Sequence, residues 1–124
     1  MPAARTNPRV SESGSAPTSH DRLSLSTNWL SDAVVRISAA GAIDASNAAV
    51  FGDYVFRHAA NSRRLILDLK GVDFFGIVGF STLMNIQARC AYAAVKWTLL
   101  SSTAVSRVLE ICDPRRTLPI AKSA

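Results

Sequence analysis

At 124 residues, 48 % hydrophobic and 19 % charged, the chain has the balance of one globular domain, large enough to bury about two thirds of its unfolded surface in a single core. No run approaches the 18 apolar residues of a membrane span, the N-terminus lacks the apolar stretch of a signal peptide, and two cysteines are too few for a disulfide framework, so the expected location is the cytoplasm, with no membrane partner. The net charge of +5 is scattered, and its only doublets, Arg63-Arg64 and Arg115-Arg116, stand beside expected turns without interleaved aromatics, which argues for solvated surface and no nucleic-acid partner.

Residues 1–22, rich in Pro, Ser, Thr and Ala, cannot bury enough apolar surface to offset ordering entropy and are expected to form a disordered tail, with the domain over 23–124. Leu23, Leu25 and Thr27 alternate with polar neighbours. After a turn through Leu30-Ser31-Asp32, Val35, Ile37 and Ala39 alternate again, which predicts a hairpin whose second strand ends at Gly41. A helix is expected from Asp44 to Asn47 onward, with Ser46 or Asn47 capping its free amides ahead of Phe51, Tyr54, Val55 and His58 at helical spacing.

"RLILDL", Arg64 to Leu69, is short and continuously apolar, as a buried central strand should be. It leads into "VDFFGIVGFSTL", residues 72 to 83, where two glycines, Gly76 and Gly79, precede a helix whose apolar face is Leu83, Ile86 and Cys90, flanked by Phe80 and Met84, running to about Tyr92. "VKWTLL" from Val95 predicts another buried strand. Ser102 then caps a helix carrying Val105, Val108, Leu109 and Cys112, and Leu118-Pro119-Ile120 is read as a short edge strand. The order is β-β-α-β-α-β-α with a final short strand. This predicts an α/β fold: a four- to five-stranded mixed sheet, a hairpin followed by right-handed parallel crossovers, packed with about three helices of which the second and third share a face.

In such folds ligands and partners meet the carboxyl ends of the parallel strands, where the 72–83 segment lies. Spacing alone leaves it either a recognition loop or a plain strand-to-helix turn. Catalysis finds little support. "GFSTL" resembles a nucleophile elbow but has Leu83 where that motif needs Gly, and no His follows Ser81. His58 is expected half-buried on its helix. Cys90 and Cys112 sit on apolar faces without metal-ligand spacing, leaving redox pairing as their one candidate chemistry, and phosphate-loop and dinucleotide fingerprints are absent, so no cofactor and no metal are expected.

"GAID" (Gly41 to Asp44), "LILDLKGVDFFGIVGFSTL" (Leu65 to Leu83) and "VSRVLEI" (Val105 to Ile111) followed by "LPI" together resemble the STAS domain of bacterial anti-sigma factor antagonists, over about residues 23 to 121. The family pattern places Asp68 on its strand aspartate, Gly79 on its loop glycine and Phe80 on its loop leucine. Inside the loop the chain departs: Gly76 stands where the family has Asp, and Ile77 and Val78 stand where it has two serines, the second being the usual phosphorylation site. The resemblance implies a non-enzymatic module. In the family, the unphosphorylated antagonist binds an anti-sigma factor of the GHKL ATPase type and frees the sigma factor, until that kinase phosphorylates the loop serine. The implied contact residues are Asp44, Gly76, Ile77, Val78, Gly79, Phe80 and Ser81, with Ser81 and Thr82 the remaining hydroxyls for phosphorylation and a monomer or weak dimer as the assembly. Two other readings stay open: a nucleotide- or anion-sensing STAS module using the helix N-terminus, and a structural subunit of a larger STAS assembly.

Overall fold

The structure is a computed structural model that describes residues 22–121. The expected tail, residues 1–21 of it, lies outside the described residues. Seven elements follow in order: β1 (Leu23–Trp29), β2 (Val34–Ile43), α1 (Ala48–Ala59), β3 (Arg64–Phe75), α2 (Ile77–Ala93), β4 (Lys96–Ser101) and α3 (Thr103–Cys112). They form a four-stranded sheet in the order β1-β2-β3-β4, with β1 antiparallel to β2 and the other pairs parallel. The mixed α/β architecture is the one the alternation and the crossover lengths predict.

The core follows from strand periodicity. Val35, Ile37 and Ala39 of β2, Leu65, Leu67 and Leu69 of β3, and Trp97 and Leu99 of β4 point to one face, where they join residues of all three helices in one cluster. Phe51 and Val55 come from α1, Leu83 and Ile86 from α2, and Val105 and Leu109 from α3. Burying each such large aliphatic or aromatic side chain contributes about 1.5–3 kcal/mol. The alternate positions Arg36, Ser38, Ile66 and Lys70 are partly or fully exposed.

Four expectations need correction. β2 does not end at Gly41 but runs on to Ile43, with register shifts against β3 between Ser38 and Ala40 and between Gly41 and Ala42. Gly41 has φ +100°, and a Cβ there would fall 1.8 Å from the Arg22 carbonyl oxygen, so the residue lets β1 close onto a bulged strand rather than terminate it. β3 extends six residues past Leu69, pairing with β2 alone after β4 stops at Leu69↔Ser101. Asn47 stands at the α1 N-cap and Ser46 just before it, yet neither side chain caps the helix. The last expected strand is a single parallel bridge of Ile120 to Leu99, held by Leu99 N–H to the Pro119 carbonyl and Ala121 N–H to the Leu99 carbonyl, both at 2.9 Å. Ser102 does cap α3, its hydroxyl accepting from Val105 N–H.

Candidate functional site

The parallel strands β2 and β3 end side by side at the pair Ile43↔Phe75. Gly76 N–H then donates to the Ile43 carbonyl at 2.9 Å, which fixes the start of α2 against the turn that begins α1. That turn is braced by Asn47, fully buried: its Nδ2 donates to the Ala42 carbonyl and its Oδ1 accepts from Asp44 N–H, both at 2.9 Å. The side chain expected to cap the helix is thus spent on the turn. Asp44 presents its carboxylate to Ser46, whose hydroxyl and N–H donate to Asp44 Oδ1 at 2.5 and 2.9 Å. The Ser46 hydroxyl first, and then its N–H, hold the Asp44 carboxyl below its ordinary value, so the group is charged at neutral pH.

The structure brings Asp44 and Gly76 together: a Cβ on Gly76 would lie 3.8 Å from Asp44 Cα and 3.8 Å from the Phe74 ring, ordinary contact distances. Ile77 opens α2 at 71 % exposure and Val78 follows at 36 %. Ser81 is exposed and Phe80 half-buried against the core cluster. Gly79 is buried, and a Cβ there would come within 2.5 Å of the Phe75 ring, so this glycine gives the helix room to sit on that ring rather than adding surface. The two hydroxyls differ. Thr82 is half-buried and donates to the Val78 carbonyl at 3.2 Å, whereas Ser81 faces solvent one turn from the loop.

Phe74 is the residue the sequence reading missed. It is 49 % exposed beside Gly76, and with Ile77 and Val78 it makes an apolar surface next to the Asp44 charge. The bulge hides it from a period-two reading, because Gly41 pairs with Val72 and Ala42 with Phe74, so Asp73 is skipped in the register.

The cysteines lie elsewhere. Cys90 is buried on the core side of α2, where burial pushes its thiol up and disfavours the reactive thiolate, and Cys112 is half-buried at the end of α3. His58 is half-buried and stacked on Tyr54 at 4.1 Å between ring centroids, with burial and then Arg57 lowering its pKa. Among the described residues no cluster of three metal-ligating side chains occurs, and no helix is long and apolar enough to cross a membrane. A shallow cleft of about 550 Å³ at the start of α3 is bordered by Lys70, Ser102 and Arg107.

Residues 30–123 match the family model of the STAS domain. The chain is 33 % identical over 93 residues to the anti-sigma-F factor antagonist RsfA of Mycobacterium tuberculosis, covering 72 % of this chain and 73 % of that one. Its fold is similar to the crystal structure of an anti-sigma factor antagonist from Mycobacterium paratuberculosis, with TM-score 0.73 and 22 % identity over 88 % of this chain and 91 % of the other. It is similar also to the unphosphorylated form of the anti-sigma factor antagonist SpoIIAA, with TM-score 0.66 and 13 % identity over 81 % and 90 % of the two chains. At those identities the two structures speak for the fold alone.

Proposed function

The chain belongs to the STAS domain family, and we propose that its task there is that of an anti-sigma factor antagonist: it binds an anti-sigma factor through the start of α2 and releases the sigma factor that partner holds. It is a binding module and not an enzyme. The observation that carries this reading is the exposed apolar surface of Phe74, Ile77 and Val78 at the carboxyl ends of β2 and β3, set beside the charged Asp44. Apolar side chains gathered at one place beside a charge, on a fold whose core is complete without them, suit burial against a partner.

The second part of the proposal concerns regulation. Val78 has no hydroxyl at the position where the resemblance expects phosphorylation, and Gly76 brings no carboxylate. The antagonist therefore binds constitutively, and a GHKL-type anti-sigma kinase does not end the association at this position. Thr82 is tied to the Val78 carbonyl, which leaves Ser81, exposed one turn into α2, as the hydroxyl open to a kinase. Wild-type chain titrated into each purified anti-sigma factor of the source organism tests the reading: one factor should bind and give up its sigma factor. Binding by none of them would overturn it.

A further inference from the structure

Of the buried polar side chains among the described residues, Asn47 alone is fully shielded from water. It stands at the N-cap of α1, where an asparagine ordinarily accepts from the free amides of the first helical turn. It makes no such bond. Its amide reaches back instead, Oδ1 accepting from Asp44 N–H and Nδ2 donating to the Ala42 carbonyl, both at 2.9 Å. The two contacts flank Ile43, the buried last residue of β2. A role in closing the 44–47 turn does not require them, because the Asp44 carbonyl already accepts from Asn47 N–H and Ala48 N–H at 3.1 and 2.9 Å.

The Asp44 N–H and the Ile43 carbonyl belong to one peptide unit, which is trans, planar and stiff, so that its N–H and C=O point to opposite sides. Asn47 holds the N–H side. The carbonyl side accepts from Gly76 N–H at 2.9 Å, and Gly76 directly precedes Ile77 at the start of α2. A hydrogen-bond chain therefore runs from the buried amide through a single planar unit to the first residue of α2, and bonds in such a chain strengthen one another. Turning that unit would move Asp44, which follows it, and the anchor of Ile77 together. We infer that Asn47 is a positioning residue for partner binding: buried and out of a partner's reach, it fixes the Asp44 carboxylate and Ile77 relative to each other through the Ile43–Asp44 peptide. This rests on the antagonist reading above. It adds that affinity is set in part by a side chain the partner never touches.

Three variants test the inference against a merely structural role, each titrated with the anti-sigma factor that the wild-type chain binds, at a temperature where circular dichroism shows the variant folded. Asn47→Ala removes both bonds. Asn47→Ser places a hydroxyl one bond closer to the backbone, too short to replace them, yet serine is a favoured helix cap. Asp113→Ala loses buried hydrogen bonds at the end of α3 and is the control. Both Asn47 variants should raise Kd about tenfold, and Asp113→Ala less than about twofold although its thermal midpoint falls. Asn47→Ser should melt closer to the parent than Asn47→Ala while binding no better, a split that a side chain serving only stability does not give; it also carries the test should Asn47→Ala fail to fold. In the free chain the amide resonances of Gly76 and Ile77 should move in the Asn47 variants and stay in Asp113→Ala. Should Ile77→Asp abolish binding while the Asn47 variants keep Kd within about twofold, the antagonist function stands and the positioning role is overturned. Unmoved Gly76 and Ile77 resonances would overturn the coupling through the peptide without reference to any partner. Should no anti-sigma factor bind the wild-type chain, the antagonist reading falls and the positioning role falls with it.

Discussion

Replacing Ile77 by Asp should separate binding from folding. Ile77 is 71 % exposed, so folding buries less than a third of it. A full burial of this side chain is worth about 1.5–3 kcal/mol, so its share of fold stability is about 0.5–1 kcal/mol and a covering partner has about 1–2 kcal/mol still to gain. An aspartate at the first position of α2 recovers about 0.3–1 kcal/mol from the helix dipole, which leaves stability within about 1 kcal/mol of the parent and the melting temperature within roughly 4–8 °C. Binding behaves differently. The complex loses the apolar term and must in addition desolvate an unpaired carboxylate, a cost of at least about 2 kcal/mol, so Kd should rise on the order of a hundredfold or more. Isothermal titration against the anti-sigma factor, beside calorimetric melting of the variant alone, measures both. An unchanged Kd, or a melting temperature that collapses in step with binding, would refute the reasoning, because the first puts Ile77 outside the interface and the second makes it a residue of the fold.

The two loop glycines should respond oppositely: Gly79→Ala forces a methyl to within 2.5 Å of the buried Phe75 ring and should cost about 1–3 kcal/mol in denaturant unfolding, while Gly76→Asp meets only ordinary contacts and should be close to neutral. Asp113 accepts from Thr117 N–H, the Thr117 hydroxyl and Leu118 N–H at 2.8–3.1 Å; burial raises its pKa, but those donors outweigh it and hold it low. A carboxyl with a lowered folded-state pKa contributes stability above its unfolded value of about 3.9 and loses it as pH falls through the folded value, so Asp113→Ala should lower stability at neutral pH by about 1–3 kcal/mol and by progressively less below about pH 4, seen as converging melting temperatures. Incubation of the wild-type chain with ATP and its anti-sigma kinase should leave the intact mass unchanged, whereas Gly76→Asp combined with Val78→Ser should gain one phosphate; a phosphate on the wild-type chain that Ser81→Ala removes would contradict constitutive binding.

Much of the fold is legible because hydrophobic periodicity and layer order carry it. The alternation at Val35, Ile37 and Ala39, the residues Leu65, Leu67 and Leu69, and the helical spacing of Leu83, Ile86 and Cys90 appear in the core where expected, with Leu23 and Leu25 of β1 partly buried against it. The errors share a physical cause, which is that turn-forming residues were used inside elements. Gly41 reads as a stop but serves a bulge, and the strand read over Arg64 to Leu69 continues through Lys70-Gly71 in β3, where it has β2 on one side and is free of β4 on the other. Asn47 reads as a cap, yet both ends of its amide are taken by the Ala42–Asp44 turn. The loop itself was visible as glycines and apolar residues after a strand. Whether Ile77 faced the core or water was not, since that depends on the phase of α2, fixed by Gly79 packing on Phe75. Phe74 was invisible for the related reason that the bulge at Asp73, immediately before it, sets its side.

The most direct measurement is a displacement titration, in which the preformed complex of sigma factor and anti-sigma factor is challenged with this chain in the presence of ATP and free sigma factor is followed by size-exclusion chromatography. The wild-type chain should release the sigma factor to saturation and hold the anti-sigma factor for as long as ATP is present, while Ile77→Asp releases none at the same concentration. Equal release by the wild type and Ile77→Asp would remove the loop from the interface, and a wild-type chain that leaves the sigma complex intact at saturating concentration would contradict the account at its centre.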